Sequence, residues 1–262
     1  MNKIENAKNT EYLAKLLDKD LRGDGRKPFE YRKLSIKTNV VSQANGSARV
    51  KLGDTEVLVG VKIGVGKPFP DSPEEGVLMV NNELSPIAAD NFETGPPTPA
   101  SIELARVIDR TIRESGTIDT SKLCITPKEA VWMVFIDMTP INNDGNLFDA
   151  GLIGAIAALK SAKLPKYDKK EDKVNHRELT NEKLPITEEP ILCTFGKISN
   201  KFVVDTTDDE EKAMNTRISI GISKNGNVCA MQKGGEGTFT DVEILELTKK
   251  AQELSKGLRK AL

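Results

Sequence analysis

The stretch from Leu34 to Ile63 constrains this chain most: three runs rich in Val, Leu and Ile are broken by Asn45-Gly46 and Gly53-Asp54. Such punctuation marks antiparallel hairpins, so the first half opens as a strand meander. Val77 to Leu84 reads as another strand, and residues 91–99, with three prolines and one glycine, exclude regular structure. Ser101 is expected to cap a helix over 101–114. Ala130 to Met138 reads as a buried strand, followed by the turn Asn142-Asn143-Asp144-Gly145. A helix over 147–161 follows, in which Gly151, Gly154, Ala155 and Ala158 permit close backbone packing. Ahead of all this, Ile4, Ala7, Leu13, Leu16 and Leu17 recur at helical intervals over residues 3–19.

Residues 163–190 carry charge clusters and prolines with few apolar anchors, which makes 166–189 the expected linker between two halves, 21–165 and 190–262. The one histidine, His176, falls there and reads as solvated. Strands are expected at about 191–195, 201–205, 216–223 and 228–232. A last helix opens at Thr240, where Thr240 and Glu243 have capping-box spacing. Each half thus runs strands first and helices second, an α+β class with helices packed on mixed β-sheets.

At 262 residues, with 38% hydrophobic and 29% charged residues and a net charge of −1, the chain has the composition of a soluble globular protein. No apolar run is long enough to span a membrane and the first residues are too charged for a signal peptide, so a cytoplasmic location without membrane contact is expected. Cys124, Cys193 and Cys229 lie far apart without metal-ligand spacing, and read as buried reduced thiols. Any nucleic-acid affinity must come from a local patch, because the whole chain presents no basic field.

One such patch stands out. Arg106, Arg110 and Arg113 share a stripe of the 101–114 helix, opposite Leu104, Ala105, Ile108 and Ile112. Three guanidiniums along ~10 Å of helix suit the phosphates of a single strand. The same stripe also suits an ordinary solvated face, in which Asp109 pairs with Arg113 and Glu103 with Arg106. Gly234-Gly235-Glu236-Gly237-Thr238 reads as a turn leading into the last helix, since it lacks a P-loop's Lys-Ser/Thr. The run Asp205, Asp208, Asp209, Glu210, Glu211 has carboxylates enough for a divalent cation, although most such runs are solvated loops.

Arg22-Gly23-Asp24-Gly25-Arg26-Lys27-Pro28 with Tyr31-Arg32, GSARVKLGDTEVLVGVK at 46–62, ELARVIDRTIRES at 103–115 and VWMVFIDMTPINNDGNLFDAGLIGAIAAL at 131–159 together resemble the RNase PH family of phosphorolytic ribonucleases. The resemblance covers about residues 20–255 and implies that family's two-part α+β fold. Within the family the pattern is most similar to the catalytically silent RNase PH-like subunit of the archaeal exosome. Active members carry a Gly, a Thr or Ser and an Arg ahead of the small-residue helix to hold the attacking phosphate; here the loop reads Gly145-Asn146-Leu147-Phe148. They also carry two aspartates six residues apart, and that spacing falls here on Glu211 and Arg217. A guanidinium neither ligates a cation nor exchanges a proton near neutral pH.

The resemblance therefore implies no catalytic, metal or cofactor residues of its own. It implies Arg106 and Arg110, with Arg113, as contacts to the backbone of single-stranded RNA. Its implied partners are an active RNase PH-like paralogue, three pairs closing a hexameric ring, and RNA-binding cap subunits. The apolar segments Val57–Val61 and Val77–Val80 are candidates for surface buried in such a ring. Two alternatives remain open at this level: an active phosphorolytic exoribonuclease or nucleotidyltransferase using Asp205, Asp208 or Glu210, and a stand-alone RNA-binding protein.

Overall fold

The structure is a computed structural model that describes residues 3–168 and 173–262. After helix α1 (Lys3–Leu17) come strands β1 (Leu34–Thr38), β2 (Gly46–Leu52), β3 (Thr55–Gly66) and β4 (Val77–Asn82), helix α2 (Pro99–Glu114), and strands β5 (Cys124–Thr126) and β6 (Ala130–Asn142). These six strands form one sheet in the order β1-β2-β3-β6-β4, with β5 on β6. Its pairs are antiparallel except β4, which runs parallel to β6 and makes the sheet mixed.

Gly53-Asp54 turns β2 into β3 as expected, with Leu52 opposite Thr55 and Gly53 at φ 60°. Asn45-Gly46 is not a tight turn. Gly46 is the first residue of β2, and a Cβ there would lie 2.4 Å from the carbonyl oxygen of Ala158. The glycine serves close approach between strand and helix rather than chain reversal. Asn45 is buried, its Oδ1 accepting from the Ile63 amide at 3.0 Å.

Helix α3 (Leu147–Ser161) follows, and its buried face runs nearly all round: Ala150 through Leu159 are inaccessible. An all-apolar helix must be covered on both sides, and here it is. It packs on β2 and β3 and also on β9 of a second sheet, in which β9 (Ile191–Ile198), β10 (Lys201–Val204), β11 (Thr216–Ile222) and β12 (Val228–Gly235) are ordered β10-β9-β11-β12 and antiparallel throughout. Helix α2 likewise touches β4 on one side and β12 on the other. Helix α5 (Asp241–Arg259) covers the far face of β9 and β11, where the Cys193 thiol points to the Ala251 carbonyl. The order is therefore sheet, helices, sheet, helix.

One apolar core joins the two halves, holding Val59, Ile108, Ile153, Ile156, Phe195 and Leu247 together. Each such side chain contributes about 1.5–3 kcal/mol on removal from water. Val57, Val59 and Val61 belong to this core and Val77 is also buried, while Leu58, Gly60 and Leu78 to Val80 are half-exposed.

Between the sheets, the charged segment expected as a linker is an antiparallel hairpin, β7 (Lys163–Asp168) on β8 (Lys173–Lys183). Its pairing rests on backbone hydrogen bonds and needs few apolar anchors, which is why composition pointed elsewhere. His176 lies exposed on β8.

Candidate nucleic-acid interface

Helix α2 starts two residues before Ser101. Thr98 is the cap, its Oγ1 accepting from the Ser101 amide at 3.2 Å, and Pro99 stands in the first turn, where a missing N–H costs nothing. The Ser101 hydroxyl turns away to Asn82. Leu104, Val107, Ile108, Thr111 and Ile112 face the core, which leaves Arg106, Arg110 and Arg113 exposed along the opposite side.

The three arginines differ in commitment. Arg113 donates from Nη2 to both carboxylate oxygens of Asp109 at 2.8 Å, the pair expected of a solvated face. Arg110 reaches Gln232 Oε1 on β12 at 3.3 Å. Arg106 has no side-chain partner among the described residues. The Glu103–Arg106 pair that spacing allows does not form, because Glu103 Oε2 is taken by Arg217 Nη2 at 2.6 Å.

Arg217 sits on β11, nine-tenths buried, with its guanidinium carbon 4.1 Å from the centre of the Phe148 ring. Gly234 lies against its other side: a Cβ there would stand 2.7 Å from the guanidinium carbon. Gly234 and Gly235 thus end strand β12 rather than forming the turn into α5, and the missing side chain of Gly234 makes room for an arginine. Thr240 and Glu243 do form the capping box of α5.

Phe148 belongs to the loop that enters α3. Gly145 has φ 79° and abuts the Thr206 carbonyl, and Asn146, in the left-handed region at φ 56°, caps the helix through its side-chain oxygen. The Asn146 amide donates to Glu211 Oε1 at 2.7 Å, and burial pushes the Glu211 carboxyl up. Leu84, Phe92, Leu147, Phe148, Glu211 and Arg217 border a cavity of about 310 Å³. The two positions six apart, Glu211 and Arg217, therefore do meet in one hollow with the Leu147-Phe148 loop. Apolar and aromatic side chains line it beside two cations: Lys212 pairs with Asp208, and Arg217 pairs with Glu103 through Nη2 while its Nη1 is buried without a hydrogen-bond partner.

The acidic run is not a solvated loop. Residues Asp208–Ala213 form a short helix, α4, with Thr207 and Glu210 as a capping box. Asp205 and Glu210 are buried and held by arginines of the Arg22–Arg32 segment: Arg22 pairs with Glu210, and Arg26 and Arg32 pair with Asp205 at 3.0 and 2.7 Å. Among the described residues, no cluster of three or more His, Cys, Asp or Glu side chains is arranged to hold a metal ion. Nor is any helix among them long and apolar enough to cross a membrane. Sequence reasoning did not anticipate the Arg–carboxylate locks or the Phe148–Arg217 stack, because each joins residues remote in the chain.

A fold of two stacked sheets with an arginine-striped helix beside the Phe148–Arg217 hollow defines a class, and known proteins match the chain along nearly its whole length. The 3′ exoribonuclease family, domain 1, matches residues 30–165, and domain 2 of the same family matches residues 188–253. The chain belongs to this family, the RNase PH family. It is 46% identical to the exosome complex component Rrp42 of Methanothermobacter thermautotrophicus, over 92% of this chain and 89% of that protein. It is also 46% identical to the component of the same name in Thermococcus kodakarensis, over 96% and 94%. A chain of the Archaeoglobus fulgidus exosome with RNA bound to the active site superposes with a TM-score of 0.91 at 41% identity, covering 98% of both chains. A chain of an archaeal exosome core gives a TM-score of 0.86 at 39% identity, over 98% and 97%.

Proposed function

We propose that this chain is the noncatalytic, RNA-gripping subunit of an archaeal exosome, a cytoplasmic complex that degrades and trims RNA from the 3′ end by phosphorolysis. It pairs with an active RNase PH-like paralogue in a hexameric ring that receives RNA-binding cap subunits. The near full-length similarity to Rrp42 components supports membership of the ring. The observation that carries the silent role is Arg217, stacked on Phe148 and paired with Glu103 in the hollow where the active members of the family keep an acid. Of the carboxylates that could have replaced it, Asp205 and Glu210 are bound to arginines in the interior and Asp208 pairs with Lys212.

In this reading Arg106 and Arg110 grip RNA phosphates, with Arg113 at the end of the stripe. Phosphate contacts carry no base preference and are steeply salt dependent. The test is phosphate-dependent decay of a labelled single-stranded RNA by this chain, by its paralogue and by the two mixed. Silence alone with stimulation of the paralogue is expected; robust decay by this chain alone overturns the reading. In the assembled ring, Arg110→Glu should weaken RNA binding and flatten its salt dependence while assembly persists. An unchanged salt dependence would refute the phosphate contact.

A further inference from the structure

We propose that Arg217 is a positioning residue for RNA binding: by holding Glu103 away from Arg106, and through Gln232 orienting Arg110, it keeps the arginine stripe of α2 available to phosphates. This rests on the RNA-contact reading above and adds to it the device that sustains the contact.

Glu103 and Arg106 are three residues apart on α2, a spacing at which opposite charges meet on a helix surface. Left alone, Glu103 would compete with RNA for the Arg106 guanidinium. Both its oxygens are engaged from the neighbouring sheet instead: Oε2 accepts from Arg217 Nη2 at 2.6 Å, and Oε1 from Gln232 Nε2 at 3.3 Å. The oxygen of the same Gln232 amide accepts from Arg110 Nη1 at 3.3 Å. A continuous chain of contacts therefore runs Phe148, Arg217, Glu103, Gln232, Arg110.

Arg217 is suited to this hold because it is buried and tightly packed. Its plane is confined between the Phe148 ring and the backbone of Gly234, so the side-chain freedom that weakens exposed ion pairs is already spent. A mobile surface cation in its place would share Glu103 with Arg106. The residue that closes the catalytic position thus also sets the charge state of the face beside it.

The experiment uses the ring assembled with the paralogue, and reads the affinity for a labelled single-stranded RNA against salt. Arg217→Gln should weaken binding about 1.4- to 2.3-fold, the scale of a helix ion pair. The log–log salt slope should fall by up to ~0.7, the share of one single-strand phosphate contact. Arg217→Met, which keeps the stem over Phe148 and drops the charge, is run beside it with the same expectation, and sedimentation verifies the ring. Adding Glu103→Gln to either variant should restore affinity, a rescue that a purely structural role would not produce. Wild-type affinity in both Arg217 variants, or no rescue by Glu103→Gln, overturns the proposal. Arg106→Ala in the otherwise unaltered ring separates the two levels: if it leaves affinity unchanged, the RNA-contact reading fails; if it weakens binding while the Arg217 variants do not, only the positioning role fails.

Discussion

Arg32 closes on Asp205, 173 positions away, through Nη2 to Oδ1 at 2.7 Å and Nε to Oδ2 at 3.0 Å, while its own backbone amide donates to Oδ2 at 2.8 Å. Asp205 is wholly inaccessible and also accepts from Arg26 at 3.0 Å and from the Asn146 side chain at 2.8 Å. One carboxylate thereby ties the segment before β1, the loop into α3 and the end of β10 into a single junction.

Removing one member of such a junction weakens the hold on the others. Asp205→Ala takes the shared carboxylate from two poorly exposed guanidiniums, leaving Arg26 with Asp24 and Arg32 with Asp144, which should cost about 1–3 kcal/mol. Denaturant unfolding of the purified chain measures this; a loss below 1 kcal/mol would show that solvent reaches the arginines freely.

The approach of α3 to β2 gives a second expectation. Gly46→Ala drives a methyl to within 2.4 Å of the Ala158 carbonyl, whereas a Cβ on Gly60 in the adjacent strand meets nothing within 4 Å. Overpacking of this kind costs about 1–3 kcal/mol. Gly46→Ala should lower the thermal midpoint and Gly60→Ala should not; equal midpoints would mean that α3 shifts without penalty.

Asp149, buried at the start of α3, supplies a pH dependence. Burial pushes its carboxyl up to about 6, opposed by hydrogen bonds from Asn146, Thr194 and Tyr31. An ordinary Asp in the unfolded chain titrates near 3.9. Between those values the folded chain binds the extra proton, so the stability due to this group falls as pH rises from about 4 to about 6 and is flat above. Asp149→Asn removes the titration. The difference in unfolding free energy, parent minus variant, should therefore decline across that window; a difference that rises, or does not change, would refute the raised value.

Restoring a carboxylate at the altered position should not restore chemistry. Arg217→Asp faces Glu103, which loses its 2.6 Å partner, and the wall of the hollow still presents Leu147 and Phe148. Neither side chain donates a hydrogen bond to an attacking phosphate, and Lys212 in the same wall is paired with Asp208. Phosphate-dependent RNA decay by the variant chain alone should equal that of the parent, and a clear gain would show that the Phe148 loop is competent after all.

Local patterns in the chain determined most elements: alternating strands about Gly53, the small-residue helix at 147–161, the Thr240 capping box and the exposed arginine stripe of α2. Periodicity and capping act over a few residues, so they are legible without the fold. The motif order likewise carried the family. What only the tertiary structure decided are partnerships between distant residues. The β7–β8 hairpin stands where composition suggested a linker, Val57, Val59 and Val61 are spent on an internal core, and Asp205 and Glu210 of the acidic run are locked by arginines from the first 32 residues. Glu103 likewise could pair with Arg106 by spacing alone, yet pairs with Arg217 across the sheet. A helix surface offers an ion pair worth only tenths of a kcal/mol, and a guanidinium already confined by an aromatic ring and a glycine outcompetes it.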